Sequence, residues 1–169
     1  RKSYRTVAGF FGIPEDAFDW DLAAGDYPWR VFPSATVPTF RSGNNGDDEY
    51  GPTYQSVLRA TARSAGTLSF SFGDTTYFYN TSVFTAPDGT QTSVKSSSVS
   101  SIEWRSLSVD VRPGDVLLWT RDVTYANLEF EAYDFGSYTA CCGAYLRNLV
   151  WTPGGFVAPV LSTAEDGRA

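Results

Sequence analysis

A few short stretches of the sequence gather side chains able to do chemistry. Asn44, Asn45, Asp47, Asp48 and Glu49 crowd hard oxygen donors around Gly46, which permits a tight turn. Calcium takes about six to eight such oxygens, so this loop is a candidate structural calcium site. The spacing is not that of an EF-hand loop, and the plain alternative is a solvated acidic turn. Asp16, Asp19 and Asp21, upstream, are a source of further ligands if the fold brings them close.

Glu129 and Glu131 stand two apart on an expected strand, so they share one face, with Asp134 close behind. Alternating carboxylates on a sandwich strand are the catalytic pattern of laminarinase-type glycosidases, where one attacks the sugar and another protonates the leaving oxygen. That pattern runs E-x-D-x-x-E, whereas this sequence has E-x-E-x-x-D. A charged strand face that keeps an edge soluble is the plainer reading.

Tyr77, Tyr79, Trp104, Trp119, Tyr125, Tyr133, Tyr138 and Tyr145 supply planar rings on which a sugar could stack. Most belong in a core, Trp119 above all, because it sits in an apolar run. Tyr133 and Tyr138 lie in a loop-rich stretch and are the expected ligand-binding pair. Cys141 and Cys142 are the only cysteines, and they are adjacent. Three states stay open for them: free or buried thiols, a bond to another chain, or a bond between neighbours. Adjacent cysteines without histidine make a poor zinc site. Asn80-Thr81-Ser82 is a sequon, so Asn80 is a candidate glycosylation site if it lies on the surface of a secreted chain.

Composition narrows the field. The 169 residues include 13 basic and 19 acidic side chains, a net charge of −6, and no histidine. Without histidine there is no Ser-His-Asp triad, His general base or His metal ligand. Scattered basic residues argue against a duplex nucleic-acid binder, which needs a clustered Lys/Arg face. No apolar run approaches the ~18 residues of a membrane span, so no membrane insertion is expected. The length suits one domain, with roughly two-thirds of the unfolded surface available for burial. The sequence opens at Arg1 without a signal peptide, and is expected to be a processed protein or a domain of a larger parent.

The elements that would position these groups are strands. Ser56–Ala62, Thr67–Phe72, Val83–Thr85, Thr90–Val94, Glu103–Val111, Val116–Trp119, Leu128–Ala132 and Ala144–Trp151 alternate or run apolar. Turn residues separate them about every 8–12 positions, among them Gly73-Asp74, Ala86-Pro87-Asp88-Gly89 and Arg112-Pro113-Gly114-Asp115. The Ser-rich stretch 96–101 reads as a flexible loop. Pro14-Glu15-Asp16 could open a short helix within an acidic N-terminal arm. The expected fold is all-β, an antiparallel β-sandwich of jelly-roll topology, with an arm at 1–17, the domain at 18–152 and a tail at 153–169.

The order of the pieces resembles the meprin-type (MAM-like) jelly-roll domains of secreted and surface proteins. Gly25-Asp26-Tyr27-Pro28-Trp29-Arg30-Val31 is similar to their GD-PW-V opening. Ser42-Gly43-Asn44-Asn45-Gly46-Asp47 is similar to their SG-N-GD loop, and Gly66-Thr67-Leu68-Ser69-Phe70 to their GTLSF strand. Arg112-Pro113-Gly114-Asp115 with Trp119, and the closing Ala144-Tyr145-Leu146-Arg147-Asn148-Leu149, continue the likeness, with Arg147 where those domains usually carry an acid. The resemblance implies a noncatalytic, extracellular or cell-surface module for recognition or adhesion, with glycan or a neighbouring surface protein as its partner. A structural subunit or decoration protein of a filament, surface layer or particle is the second expectation, since Phe10-Phe11 and Gly154-Gly155-Phe156-Val157 suit burial in an assembly. A laminarinase-like glycosidase is the third.

Overall fold

Among the described residues, alternation of apolar and polar side chains resolves into ten strands and one short helix. The computed structural model describes residues 6–32, 35–44, 53–75, 80–97, 101–124 and 142–154. In chain order these are α1 (Val7–Phe11), β1 (Phe18–Asp21), β2 (Arg30–Val31), β3 (Thr39–Arg41), β4 (Tyr54–Ala62), β5 (Gly66–Thr75), β6 (Thr81–Thr85), β7 (Gln91–Val94), β8 (Glu103–Val111), β9 (Val116–Val123) and β10 (Gly143–Pro153).

The strands form two five-stranded antiparallel sheets, β1-β4-β9-β6-β7 and β2-β3-β10-β5-β8. The pairings β6·β7, β5·β8, β4·β9 and β3·β10 nest inside one another. They are the rungs of one long hairpin whose tip is the Ala86–Thr90 turn. Rolling that hairpin over so that alternate rungs fall in opposite sheets gives the jelly roll, with β1 and β2 added at the margins. Gly89 at φ 89° and Gly114 at φ 92° make the tight turns of one end. The strands β3, β5, β7 and β9 finish at the other end.

The core is what the alternation demands. Leu58, Leu68, Phe72, Leu117, Trp119 and Leu146 have no exposure at all. Trp119 stacks on Trp20 at 5.9 Å and meets Phe70 and Phe84 edgewise or tilted at 5.3 Å. Each such side chain contributes roughly 1.5–3 kcal/mol through removal from water.

The N-terminal segment differs from expectation. Its helix precedes Pro14, capped by the Thr6 hydroxyl, which accepts from Gly9 N–H at 2.9 Å, and closed by Gly12 at φ 74°. Val7, Ala8, Ile13 and Ala17 join the core, so residues 6–17 pack as part of the sandwich. Gly73-Asp74 is not a turn either, because β5 runs through both residues to Thr75. The Ser96 end of the expected flexible loop is buried and anchored: its N–H donates to Asp74 at 2.7 Å and its hydroxyl to the Ser101 carbonyl at 2.8 Å.

Candidate functional site

Two polar constructions stand out, one between the sheets and one on an outer face. The first caps the core at the end where β3, β5, β7 and β9 finish. Asp74 of β5 and Arg121 of β9, both without exposure, form an ion pair at 2.6 Å across the two sheets. The Ser82 hydroxyl donates to Asp74 at 2.6 Å, and the Arg121 guanidinium also donates to Ser82 and to the Thr75 carbonyl. Burial pushes the Asp74 carboxyl above its ordinary value, while the Arg121 charge and the hydrogen bonds from Ser82 and Ser96 pull it back only in part.

Nearby, Tyr145 OH and Thr75 Oγ1 lie 2.9 Å apart, and Arg41 Nη2 donates to the Cys142 carbonyl at 3.0 Å. This layer is a dense polar floor of buried, hydrogen-bonded side chains.

The second construction covers the outer face of the sheet containing β5. There Ser69 pairs with Ser108, and Ser71 with Ser106. An exposed sheet face built from small hydroxyls sits low, since no long side chain fills it. The result is an open trough of about 470 Å³, lined by these serines and by Asn148. Asn148 lies in the bulge of β10 between Arg147 and Val150, at φ 58°, and its Nδ2 donates to Ser71 Oγ at 3.3 Å. A left-handed asparagine inside a strand costs conformational energy, and such residues cluster at functional sites.

Further along the same outer face, two residues from Ser106 on β8, Trp104 forms a stack. Gly73 lies in register with Trp104, and a Cβ there would come within 2.7 Å of the indole ring. The missing side chain lets the ring fold down onto β5. The Arg147 guanidinium then lies over the indole, 3.8 Å from the ring centroid.

The residues singled out in the sequence fare unequally. Asn44 is buried, and Asn45, Asp47, Asp48 and Glu49 lie outside the described residues. Asp21 pairs with Arg59 at 2.9 Å and Asp19 with Arg63 at 3.8 Å. Among the described residues no three acidic or thiol groups converge as a metal would require. Glu129, Glu131, Asp134, Tyr133, Tyr138 and Cys141 lie outside the described residues, as do Tyr77, Tyr79 and Tyr125.

One expectation is corrected, and one open alternative is narrowed. Asn80 has no exposure, and its carbonyl oxygen accepts the Thr124 N–H at 2.9 Å. A glycan has no room on a side chain enclosed in that way, so the sequon does not mark a surface site. Cys142 is not a free thiol but is disulfide-bonded. The sequence holds one other cysteine, Cys141, which lies outside the described residues. Tyr145 and Trp119 are fully buried. Sequence reading missed the serine trough. Its trace was the strict alternation of Thr67, Ser69 and Ser71 with apolar neighbours, which looked only like the wet side of a strand.

No known family model matches the chain, and no curated protein matches it. The meprin-type likeness therefore stands at the level of the jelly-roll sandwich alone. Among solved structures, CBM35 from Cellvibrio japonicus Abf62 shares 13% identity, with a TM-score of 0.34 over 82% of this chain and 99% of that chain. Xyl-CBM35 in complex with a glucuronic acid containing disaccharide gives 12% identity and a TM-score of 0.35 over 83% and 99%. A family 35 carbohydrate binding module from an environmental isolate gives 13% and 0.35 over 85% and 96%. The jelly-roll assignment rests on the nested strand pairing, not on these overlaps.

Proposed function

We propose that the protein is a noncatalytic glycan-binding module whose ligand lies in the serine trough on the outer face of the β5 sheet. The observation that carries this reading is the trough's lining. Paired serine hydroxyls and a strained asparagine amide stand on rigid strands beside the Trp104–Arg147 stack. Sugars present rows of hydroxyls that both donate and accept, and serine and asparagine side chains can do the same in return. The volume falls within the ~300–1,000 Å³ of small-ligand sites, and placement on strands fixes the donors before the ligand arrives.

The test is a glycan-array screen of the protein, run with calcium and with chelator, followed by calorimetric titration of any hit. Binding by the wild type that is lost in Ser71→Phe, which fills the trough, supports the reading, provided the circular dichroism spectrum is unchanged. A blank array, or a hit untouched by Ser71→Phe, overturns the trough as the site. Binding lost on chelation would instead direct attention to the Asn44–Glu49 loop. A blank array from a self-associating protein would favour a structural subunit.

A further inference from the structure

We infer that the glycan bound in the trough carries a negative charge, a carboxylate or a sulfate, which sits against the in-plane edge of the Arg147 guanidinium. The inference rests on the reading of the trough as a glycan site and adds the chemical class of the ligand.

Four other arginines of the sandwich are engaged by neighbouring groups. Arg121 pairs with Asp74, Arg59 with Asp21, and Arg63 with Asp19, while Arg41 donates to backbone carbonyls. Arg147 differs. Among the described residues no carboxylate pairs with it and its guanidinium makes no hydrogen bond, although the protein carries a net charge of −6. Its Nε is shut away from solvent without a partner. The indole of Trp104 occupies one face of the group at 3.8 Å, which holds the plane still and leaves its edge as the donor surface.

The setting is that of an anion receptor. Arg147 pairs in register with Ser71, which in turn pairs with Ser106, so the strand position of Arg147 borders the trough, with its guanidinium over the neighbouring Trp104. Asn148 is its chain neighbour, and its amide already reaches Ser71. The nearest acid along the same face of β8, Asp110, is four residues beyond Ser106, about 13 Å along the strand, and is held by the Thr67 hydroxyl at 2.6 Å. A planar fork of N–H donors matches a carboxylate or sulfate in two parallel hydrogen bonds, which a neutral hydroxyl cannot reproduce.

The experiment compares matched ligands on the intact protein by calorimetry. A uronic-acid oligosaccharide is titrated beside its methyl ester, and a sulfated oligosaccharide beside its unsulfated parent. The expected result is that at least one acidic member binds roughly tenfold more tightly than its neutral counterpart, as a charge-assisted pair requires. The preference should shrink as salt is raised and collapse in Arg147→Gln. Arg147→Lys, which keeps the charge and loses the fork, should retain only part of it. Equal affinity for acidic and neutral members, or a preference that survives Arg147→Gln, overturns the inference and leaves the trough as a neutral-glycan site. No binding by any member overturns the glycan reading itself. Should Arg147→Gln fail to fold, the free-acid and ester comparison on the wild type decides alone.

Discussion

The Asp74 carboxylate and the Arg121 guanidinium meet at 2.6 Å between the sheets, and neither has any exposure to solvent. Asp74 stands on β5, whose outer face is the trough, while Arg121 stands on β9, at the centre of the opposite sheet. One buried pair therefore ties the strand beneath the candidate site to the sheet that backs it. Ser82 and Ser96 complete its hydrogen bonding.

Breaking that pair on one side should be far worse than removing it whole. Asp74→Asn leaves a buried guanidinium uncompensated and should cost about 3–5 kcal/mol in urea unfolding. The double variant Asp74→Leu, Arg121→Met removes both charges and should recover a substantial part of that loss. Equal losses in the single and double variants would show that the pair is not coupled.

The two tryptophans should separate stability from recognition. Trp119 is fully buried, so Trp119→Ala should cost about 3–5 kcal/mol. Trp104 is half-buried on the outer face, so Trp104→Ala should cost about 1–2 kcal/mol while abolishing glycan binding. The check is denaturant unfolding alongside calorimetric titration. A Trp104→Ala protein with full affinity would remove the stack from the site.

Gly73→Ala tests the seat of the indole. The added methyl would lie 2.7 Å from both the Trp104 ring and the Ile102 side chain. A loss of roughly 1–3 kcal/mol is expected from the overpacking, with a shift in tryptophan emission as the ring lifts. An unchanged emission spectrum and melting temperature would contradict this geometry.

The cysteine bond predicts a simple titration. In denaturant without reductant the chain should show no reactive thiol, and after reduction two, the full complement of the sequence. A non-reducing gel should show a monomer. A disulfide-linked dimer would mean that the bond runs between chains.

Asn80 supplies a negative test. Expressed in a glycosylating host, the folded protein should show no mass loss on treatment with an N-glycosidase, because the side chain is enclosed and its oxygen holds the Thr124 amide. A glycan at Asn80 would require that this part of the sandwich opens before the enzyme of the host meets it.

Much of the scaffold was legible because alternation is a local signal. Thr67–Phe72 and Glu103–Val111 could be read as strands from their period alone, and the turns at Gly89 and Gly114 from their residue types. Gly73-Asp74 misled for a physical reason. A glycine and an aspartate in succession are turn chemistry, yet here the glycine makes room for Trp104 and the aspartate answers a charge 47 positions away. Ser96 misled in the same way, since it answers that aspartate from a serine run that reads as loose. The trough was illegible because it exists only when β5 and β8 lie side by side. Nothing in either strand alone announces that Ser71 faces Ser106. Arg147 was visible as an arginine in the closing strand, but that no acid among the described residues pairs with it is a fact of three dimensions.

The nesting of the strand pairs also governs how fast this chain can find its shape. Arg41 and Cys142, joined by a hydrogen bond, are 101 positions apart, and β10 must slot between β3 and β5 to complete the second sheet. That sheet stays divided until the last of the described strands is available. Pairings of such span lose chain entropy before they return any contact energy, so folding in milliseconds to seconds is expected rather than in microseconds. Trimming the long connections would change this little, because closure cost grows only with the logarithm of loop length. Speed, in this molecule, is a property of the order in which the ribbon is rolled.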